Sequence, residues 1–453
     1  MKKRISALIL SMIIVLSLTP LMPVSAETFT TADALAILRD VVGTQSLTDA
    51  QRAKFGFEAD YTVQTSDALK ILRIIVGSET VNETPPVPPK ANPTTLIEAY
   101  GDIFDYVGAA AYNWHWVSNA PYSLSNPKVL DFAKKHFNSL TAENEMKIEN
   151  ILNFGNLITV EEAKNRGYFI PAGFTETHFP AIQTERLNDY LKIAYENGFG
   201  VRFHSFTYGD TERFFRANYN TNENYVSKAV MEKRLEMYVK SIIKLVYESK
   251  YGEVVYAWDV FNEYLHLSND SGLFKIYGSD KSYIINSFKF AHEQLTAMKI
   301  RDNVGLIYND FNEYDIADEI INLIKEINKG GKYCDGVGMQ MHLDVSGPNI
   351  GHIGNAIDKF KAEGFEIQIT ELDVTLNGQW SSGTKTAADQ AQYYGDVFKM
   401  LVEKKNGGAN ITGITFWGLC DSNSWRGEYT PLLFTDIDKP KTALFNAVMN
   451  AAK

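Results

Sequence analysis

The sequence predicts an α/β chain built as a (β/α)8, or TIM, barrel from about Thr95 to the C-terminus, with a small helical module ahead of it. Three observations carry that expectation. Short apolar runs alternate with amphipathic helical stretches, the pattern of a parallel sheet wrapped by helices. The runs number eight: Tyr106–Ala111, Ser139–Ala142, Gly200–Ser205, Val255–Val260, Asn303–Tyr308, Gly336–Gln340, Glu366–Thr370 and Gly413–Trp417. Nearly every run ends in polar or aromatic residues, and barrel active sites gather at the C-terminal ends of the strands. Long helical stretches such as Val226–Ser249, rich in apolar residues four apart, fit the outer ring.

Taken in order, the chain begins with Lys2, Lys3 and Arg4 before an apolar run from Ile5 to Leu21, and Val24-Ser25-Ala26 supplies a small-residue cleavage site. That is the layout of a secretory signal peptide over residues 1–26. Its apolar core is short for spanning a bilayer, and no other segment is long and apolar enough to do so. A secreted, extracellular protein with no membrane span after signal removal is expected. An internal repeat follows within residues 27–79. Thr31-Ala32-Asp33-Ala34-Leu35-Ala36-Ile37-Leu38-Arg39 through Gly43 recurs as Thr65-Ser66-Asp67-Ala68-Leu69-Lys70-Ile71-Leu72-Arg73 through Gly77. Each copy reads as an amphipathic helix opened by Asp and closed by Gly. Alone such a helix buries little, so the two copies are expected to pack together. Residues 80–94, with Pro85, Pro86, Pro88, Pro89 and Pro93, form an extended spacer. The barrel occupies 95–453.

Composition narrows the function. With 45% hydrophobic and 22% charged residues, the 453-residue chain is of ordinary globular type. A formal net charge of -11 argues against a nucleic-acid partner, because phosphate binding needs a basic face. The same charge favours a neutral or lightly substituted polysaccharide over an acidic polymer. Cys334 falls near the start of one strand and Cys420 near the end of another, too far apart to bridge, so two free thiols and no catalytic cysteine are expected. The barrel contains neither a Gly-x-Ser-x-Gly elbow nor a His-Glu-x-x-His zinc helix. No metal and no cofactor is expected there.

Two carboxylates stand out. Trp258-Asp259-Val260-Phe261-Asn262-Glu263 and Ile369-Thr370-Glu371-Leu372-Asp373 each set a Glu just past an apolar run. One such residue is commonly a surface group or a salt-bridge partner. Two of them at barrel strand ends match glycoside cleavage, in which one acid protonates the leaving oxygen and a second carboxylate attacks from the other face.

These segments, with Thr141-Ala142-Glu143-Asn144-Glu145-Met146-Lys147, Tyr308-Asn309-Asp310, Asp335-Gly336-Val337-Gly338-Met339-Gln340-Met341-His342 and Phe416-Trp417-Gly418, resemble glycoside hydrolase family 10, the endo-β-1,4-xylanases. The likeness runs from about Thr95 to the end with every motif in family order. It implies Glu263 as the acid/base, its pKa raised, and Glu371 as the ionised nucleophile, with carboxyls ~5–5.5 Å apart for a retaining reaction. It further implies Asn262 as donor to the sugar 2-hydroxyl. His342 would be bonded to Glu371 and oriented by Asp373. Glu143, Asn144 and Lys147 form a polar clamp on the next sugar, Gln340 serves either the sugar or its strand neighbours, and Asn309 supports the leaving-group side. Trp417 and Trp425 give the aromatic cover, and Trp114 and Trp116 extend it or belong to the core. Xylan or xylo-oligosaccharides are the implied substrates. A tuned relative acting on decorated xylan or another β-glycan, and a non-catalytic polysaccharide-binding protein, are the alternatives.

The third strand end departs from the family's His-Thr-Leu-Val-Trp-His-Ser-Gln. His204 is kept, Tyr208 replaces the Trp, Gly209 the second His and Thr211 the Gln. The change keeps a shorter aromatic wall and removes polar sugar contacts. The repeat at 27–79 resembles dockerin modules, which dock enzymes onto a scaffold, and implies docking to a scaffold or cell surface. Counting a calcium loop back from Asp67 puts Gly56 at position 1, Glu58 at 3, Asp60 at 5 and Gln64 at 9. The missing first carboxylate argues against calcium there.

Overall fold

A computed structural model describes residues 29–44, 46–48, 51, 52, 55, 63, 65, 68, 71, 72, 93–113, 120–207, 211–379 and 381–453. The signal segment, linker residues 80–92, Trp114, Trp116, Tyr208, Gly209, Gly56, Glu58, Asp60 and Gln64 lie outside them. The chain divides into two compact units, 1–91 and 92–453.

In the first unit a helix spans Thr31–Val41. Its N-cap is Thr30, whose backbone N–H donates to the Asp33 carboxylate at 2.6 Å. Asp33 therefore sits in the first turn rather than opening the helix, because a carboxylate three residues in reaches back to satisfy the free N–H groups there. Gly43 follows the helix at φ +68°, a left-handed turn suited to glycine. The repeat is visible in the packing. Ala34 and Ile37 of the first copy and Ala68 and Ile71 of the second share one small core with Leu47 and Val63.

The second unit is a closed parallel barrel. In chain order its strands are β1 (Tyr106–Ala111), β2 (Ser139–Ala142), β3 (Leu152–Thr159), β4 (His178–Ile182), β5 (Gly200–Phe203), β6 (Val255–Asn262), β7 (Gly305–Asp310), β8 (Gly336–Met339), β9 (His342–Asp344), β10 (Glu366–Thr375) and β11 (Ile411–Phe416). Eight of these, β1, β2, β5, β6, β7, β8, β10 and β11, pair in that order, and β11 returns to β1 while also pairing with β10. Each coincides with one of the eight apolar runs. Boundaries differ by a few residues where turns intervene: Arg301–Asn303 form a 3-10 turn that delays β7 to Gly305. Likewise, the expected 226–249 helix spans Lys228–Glu248, started by the Ser227 hydroxyl, which accepts from the Val230 N–H.

The hairpin of β3 and β4 is antiparallel and outside the barrel. β10 runs past the barrel rim and takes β9 alongside it. Inside the barrel Arg202, wholly buried, donates both terminal guanidinium nitrogens to Asp259 and its Nε to Gln368. A buried charge needs such full pairing, because an uncompensated one costs several kcal/mol. Cys334 precedes β8 and Cys420 follows β11; both are buried and unpaired. Among the described residues no helix is long and apolar enough to cross a membrane.

Candidate active site

Glu263 follows β6 directly and begins the 3-10 turn Tyr264–His266. Its backbone is left-handed, φ 61° and ψ 36°, a strained setting for a residue with a Cβ. The Glu263 N–H holds that turn by donating to the Asn309 carbonyl at 2.8 Å. The carboxyl oxygen Oε1 accepts from Gln340 Nε2 at 2.9 Å and Asn262 Nδ2 at 3.1 Å.

Glu371 lies within β10, where the pairing with β11 shifts register between Ile369 and Leu372. Such an irregularity re-aims a side chain. The residue is only 4% exposed. Oε1 accepts from Asn309 Nδ2 at 2.7 Å, and Oε2 lies 3.2 Å from His342 Nε2. Burial alone would raise this carboxyl, yet the His342 hydrogen bond, the His204 and His342 charges and the Asn309 hydrogen bond together hold it well below the usual range. His342 in turn sits 2.9 Å from Asp373 through Nδ1. Its burial disfavours the cation, but the Asp373 charge and hydrogen bond, with Glu371, outweigh that and raise it.

Asn309, at the end of β7, ties the two carboxylates together. Its Nδ2 donates to Asn262 Oδ1 at 2.8 Å as well as to Glu371, and its Oδ1 accepts from the Thr370 hydroxyl at 2.6 Å. It is wholly buried. Asn309 thus supports the Glu371 carboxylate and the Asn262 amide from within the barrel. Room for it comes from Gly338 on β8, where a Cβ would run into the Asn309 amide. Gln340 Nε2 also reaches Asn262 Oδ1 at 3.2 Å, so this amide serves its strand neighbours and Glu263 together.

Both glutamates open onto one cleft of about 670 Å3. Lys147, His204, Asn262, Gln340, His342 and the two tryptophans Trp417 and Trp425 line it with them. Lys147 is steadied by donating to Asn144 Oδ1 at 2.9 Å, while Asn144 and Glu143 lie outside the lining. Burial, then Glu145, pushes the Glu143 carboxyl up. His204 is 2.9 Å from Asp259 through Nδ1 and meets the edge of Trp417. Trp425 is 57% exposed and so is no core residue. Its Nε1 donates to Asp373 Oδ2 at 3.0 Å.

Several further residues of the site have no role assigned by the sequence pattern. Arg426 donates to Asp373 and lies 4.4 Å over the Trp425 ring. Glu145, buried, accepts from the Asn113 and Asn144 backbone. Phe311, Asn312, Tyr314 and Asp344 join the cleft wall. The Asn309-Asp310-Phe311-Asn312 stretch, which closes β7 and runs past it, is the signal for the first two. Glu313, between Asn312 and Tyr314 in sequence, is wholly buried with neither oxygen hydrogen-bonded. Burial, and then Asp310, push its carboxyl up to about 8. Among the described residues no group of three or more His, Cys, Asp or Glu gathers to hold a metal.

Comparison with known proteins agrees with this architecture. The endo-1,4-beta-xylanase A of Butyrivibrio fibrisolvens is 37% identical over 77% of this chain and 82% of its own length. The bifunctional endo-1,4-beta-xylanase XylA of Ruminococcus flavefaciens is 36% identical over 74% of this chain, which spans only 33% of that protein. The solved N-terminal endo-1,4-beta-D-xylanase 10B of Clostridium thermocellum, complexed with xylohexaose, superposes with a TM-score of 0.64 at 27% identity, over 80% of this chain and 68% of that one. The model of glycosyl hydrolase family 10 matches residues 95–451, and the chain belongs to that family.

Proposed function

We propose that the chain is an endo-1,4-beta-xylanase that cleaves the β-1,4-linked backbone of xylan with retention, by double displacement. The observation that carries this reading is the asymmetry of the two carboxyls in one cleft. Glu371 is held by an amide and a cationic histidine that favour its ionised form, as a nucleophile requires. Glu263 has amide donors on one oxygen. In the first step Glu371 attacks the anomeric carbon while Glu263 gives its proton to the departing sugar oxygen. In the second, Glu263 as carboxylate takes a proton from water, which attacks the same carbon and frees Glu371. Asn262, with one Nδ2–H directed to Glu263, keeps a second for the sugar 2-hydroxyl. Trp417 and Trp425 cover the apolar ring faces.

Two experiments test this. Glu371→Ala should abolish release of short xylo-oligosaccharides, and the first product seen by NMR should be the β-anomer; an α-anomer would remove Glu371 from the nucleophile's role. A second reading, a relative tuned to decorated xylan or another β-glycan, draws on the changed third strand end, where the Thr211 hydroxyl is buried without a partner. Side-by-side rates on glucuronoarabinoxylan, mixed-linkage glucan and carboxymethylcellulose decide between them. Residues 1–26 would direct export, and 27–79 would dock the enzyme to a scaffold or cell surface, a reading supported by the shared core of the two repeat copies. Pull-down of the full chain and of a chain lacking 27–79 on cell-surface fractions tests that role.

A further inference from the structure

The turn after Glu263 carries a group that the mechanism above does not use. His266 closes the 3-10 turn that Glu263 opens, with its N–H donating to the Glu263 carbonyl at 3.2 Å. The ring stacks on Phe311, centroids 3.8 Å apart and 21° between planes, and Phe311 is part of the cleft wall beside Glu263. On its other side His266 Nδ1 is 2.7 Å from Asp310 Oδ1. Asp310 is wholly buried and itself pinned, by the Phe311 N–H at 2.9 Å and by the Tyr308 hydroxyl. That hydroxyl also accepts from the Leu265 N–H at 3.1 Å, so the whole turn is tied to β7.

We infer that His266 is a positioning residue for Glu263: clamped between Asp310 and Phe311 at the close of the turn that the acid/base opens, it holds that turn and sets where the alkaline limb of turnover falls. The inference rests on Glu263 being the acid/base. The charged groups that act on His266 are Asp310 from β7 and Glu263 from the end of β6. The Asp310 hydrogen bond raises the imidazole against the opposing effect of burial, and the Asp310 and Glu263 charges add to it. Coupling is reciprocal. If Glu263 favours the cation at 266, the cation favours the ionised form of Glu263, the form needed to activate water in the second step. The same cation narrows the pH range over which the proton for the first step is available. His266 therefore trades range in the first step for readiness in the second.

The test is the pH profile of kcat/KM on xylohexaose at low ionic strength. His266→Asn keeps a donor for Asp310 and removes the charge. Its alkaline limb should move to higher pH by on the order of half a unit, as expected for a partly exposed pair. His266→Lys, which keeps a cation, should return the limb toward that of the unaltered enzyme. An unmoved limb in His266→Asn, or the same displacement in both variants, overturns the inference, as does a fall in rate at all pH values with an unchanged profile. Failure of the underlying reading looks different. Glu263→Ala should lose its alkaline limb on an aryl xylobioside and recover rate with azide; if it does neither, Glu263 is not the acid/base, whatever His266 does.

Discussion

Glu313 offers the sharpest quantitative test of the site's construction. It is a carboxyl with no exposed surface and no hydrogen-bond partner, directly behind a cleft wall made by its neighbours Asn312 and Tyr314. Burial, reinforced by Asp310, raises it from 4.5 to about 8. The native state therefore holds a proton that the unfolded chain has released between those two values, and the stability it contributes is complete below pH 4.5 and lost as pH rises through about 8. At about 1.4 kcal/mol per pH unit the interval is worth on the order of 5 kcal/mol, a large share of the stability of a folded domain. Glu313→Gln keeps the shape and cannot ionise. Urea unfolding of both proteins from pH 4 to 9 should give nearly equal stabilities at pH 4. A growing advantage for the variant should then appear above pH 5, reaching a few kcal/mol by pH 9. Parallel stability curves would refute the reasoning, because they would mean that Glu313 has a solvated or paired carboxyl and does not titrate in this window.

Three further outcomes follow from the same geometry. Removing the cation beside the nucleophile in His342→Gln should raise the Glu371 carboxyl, so that the acid limb of kcat/KM moves to higher pH; a profile between pH 3 and 7 shows it. Asn309→Ala takes a donor from Glu371 and from Asn262 at once, and kcat/KM on xylan should fall about 10- to 100-fold at ~1–3 kcal/mol of lost support. His136 is buried with Nδ1 unpartnered, against Phe132, Phe434 and Phe445, and burial, then Lys135, depresses it from 6.5 to about 4. Its stability term is present above pH 6.5 and lost as pH falls toward 4, by about 3 kcal/mol, so His136→Phe should flatten the acid side of a Tm–pH curve.

The barrel strands were legible because a strand buried on both faces reads as a mostly apolar run, even where Arg202, Asp259 and Gln368 interrupt three of the eight. The hairpin of β3 and β4 was not, since Asn153, Gly155, Asn156 and Pro180 carry the signals of a loop. At the site, Glu263, Glu371 and His342 announced themselves by following apolar runs. Asn309 was legible as a strand-end residue but its partners were not, because its contacts cross to β6 and β10 and no spacing along the chain encodes them. For the same reason Arg426 on Asp373, Arg202 on Asp259 and Asp310 on His266 escaped notice: each pair joins residues from different strand ends or loops. The buried, unpaired state of Glu313 is a property of packing alone.

The two sulfurs have a practical consequence. Burial pushes Cys420 up to about 11 and Cys334 higher still, so neither presents a thiolate to an oxidant at neutral pH. Assembly of this barrel waits on no bond that only an oxidising compartment makes. The same fold should form under reducing and oxidising conditions, and its melting temperature should be indifferent to dithiothreitol.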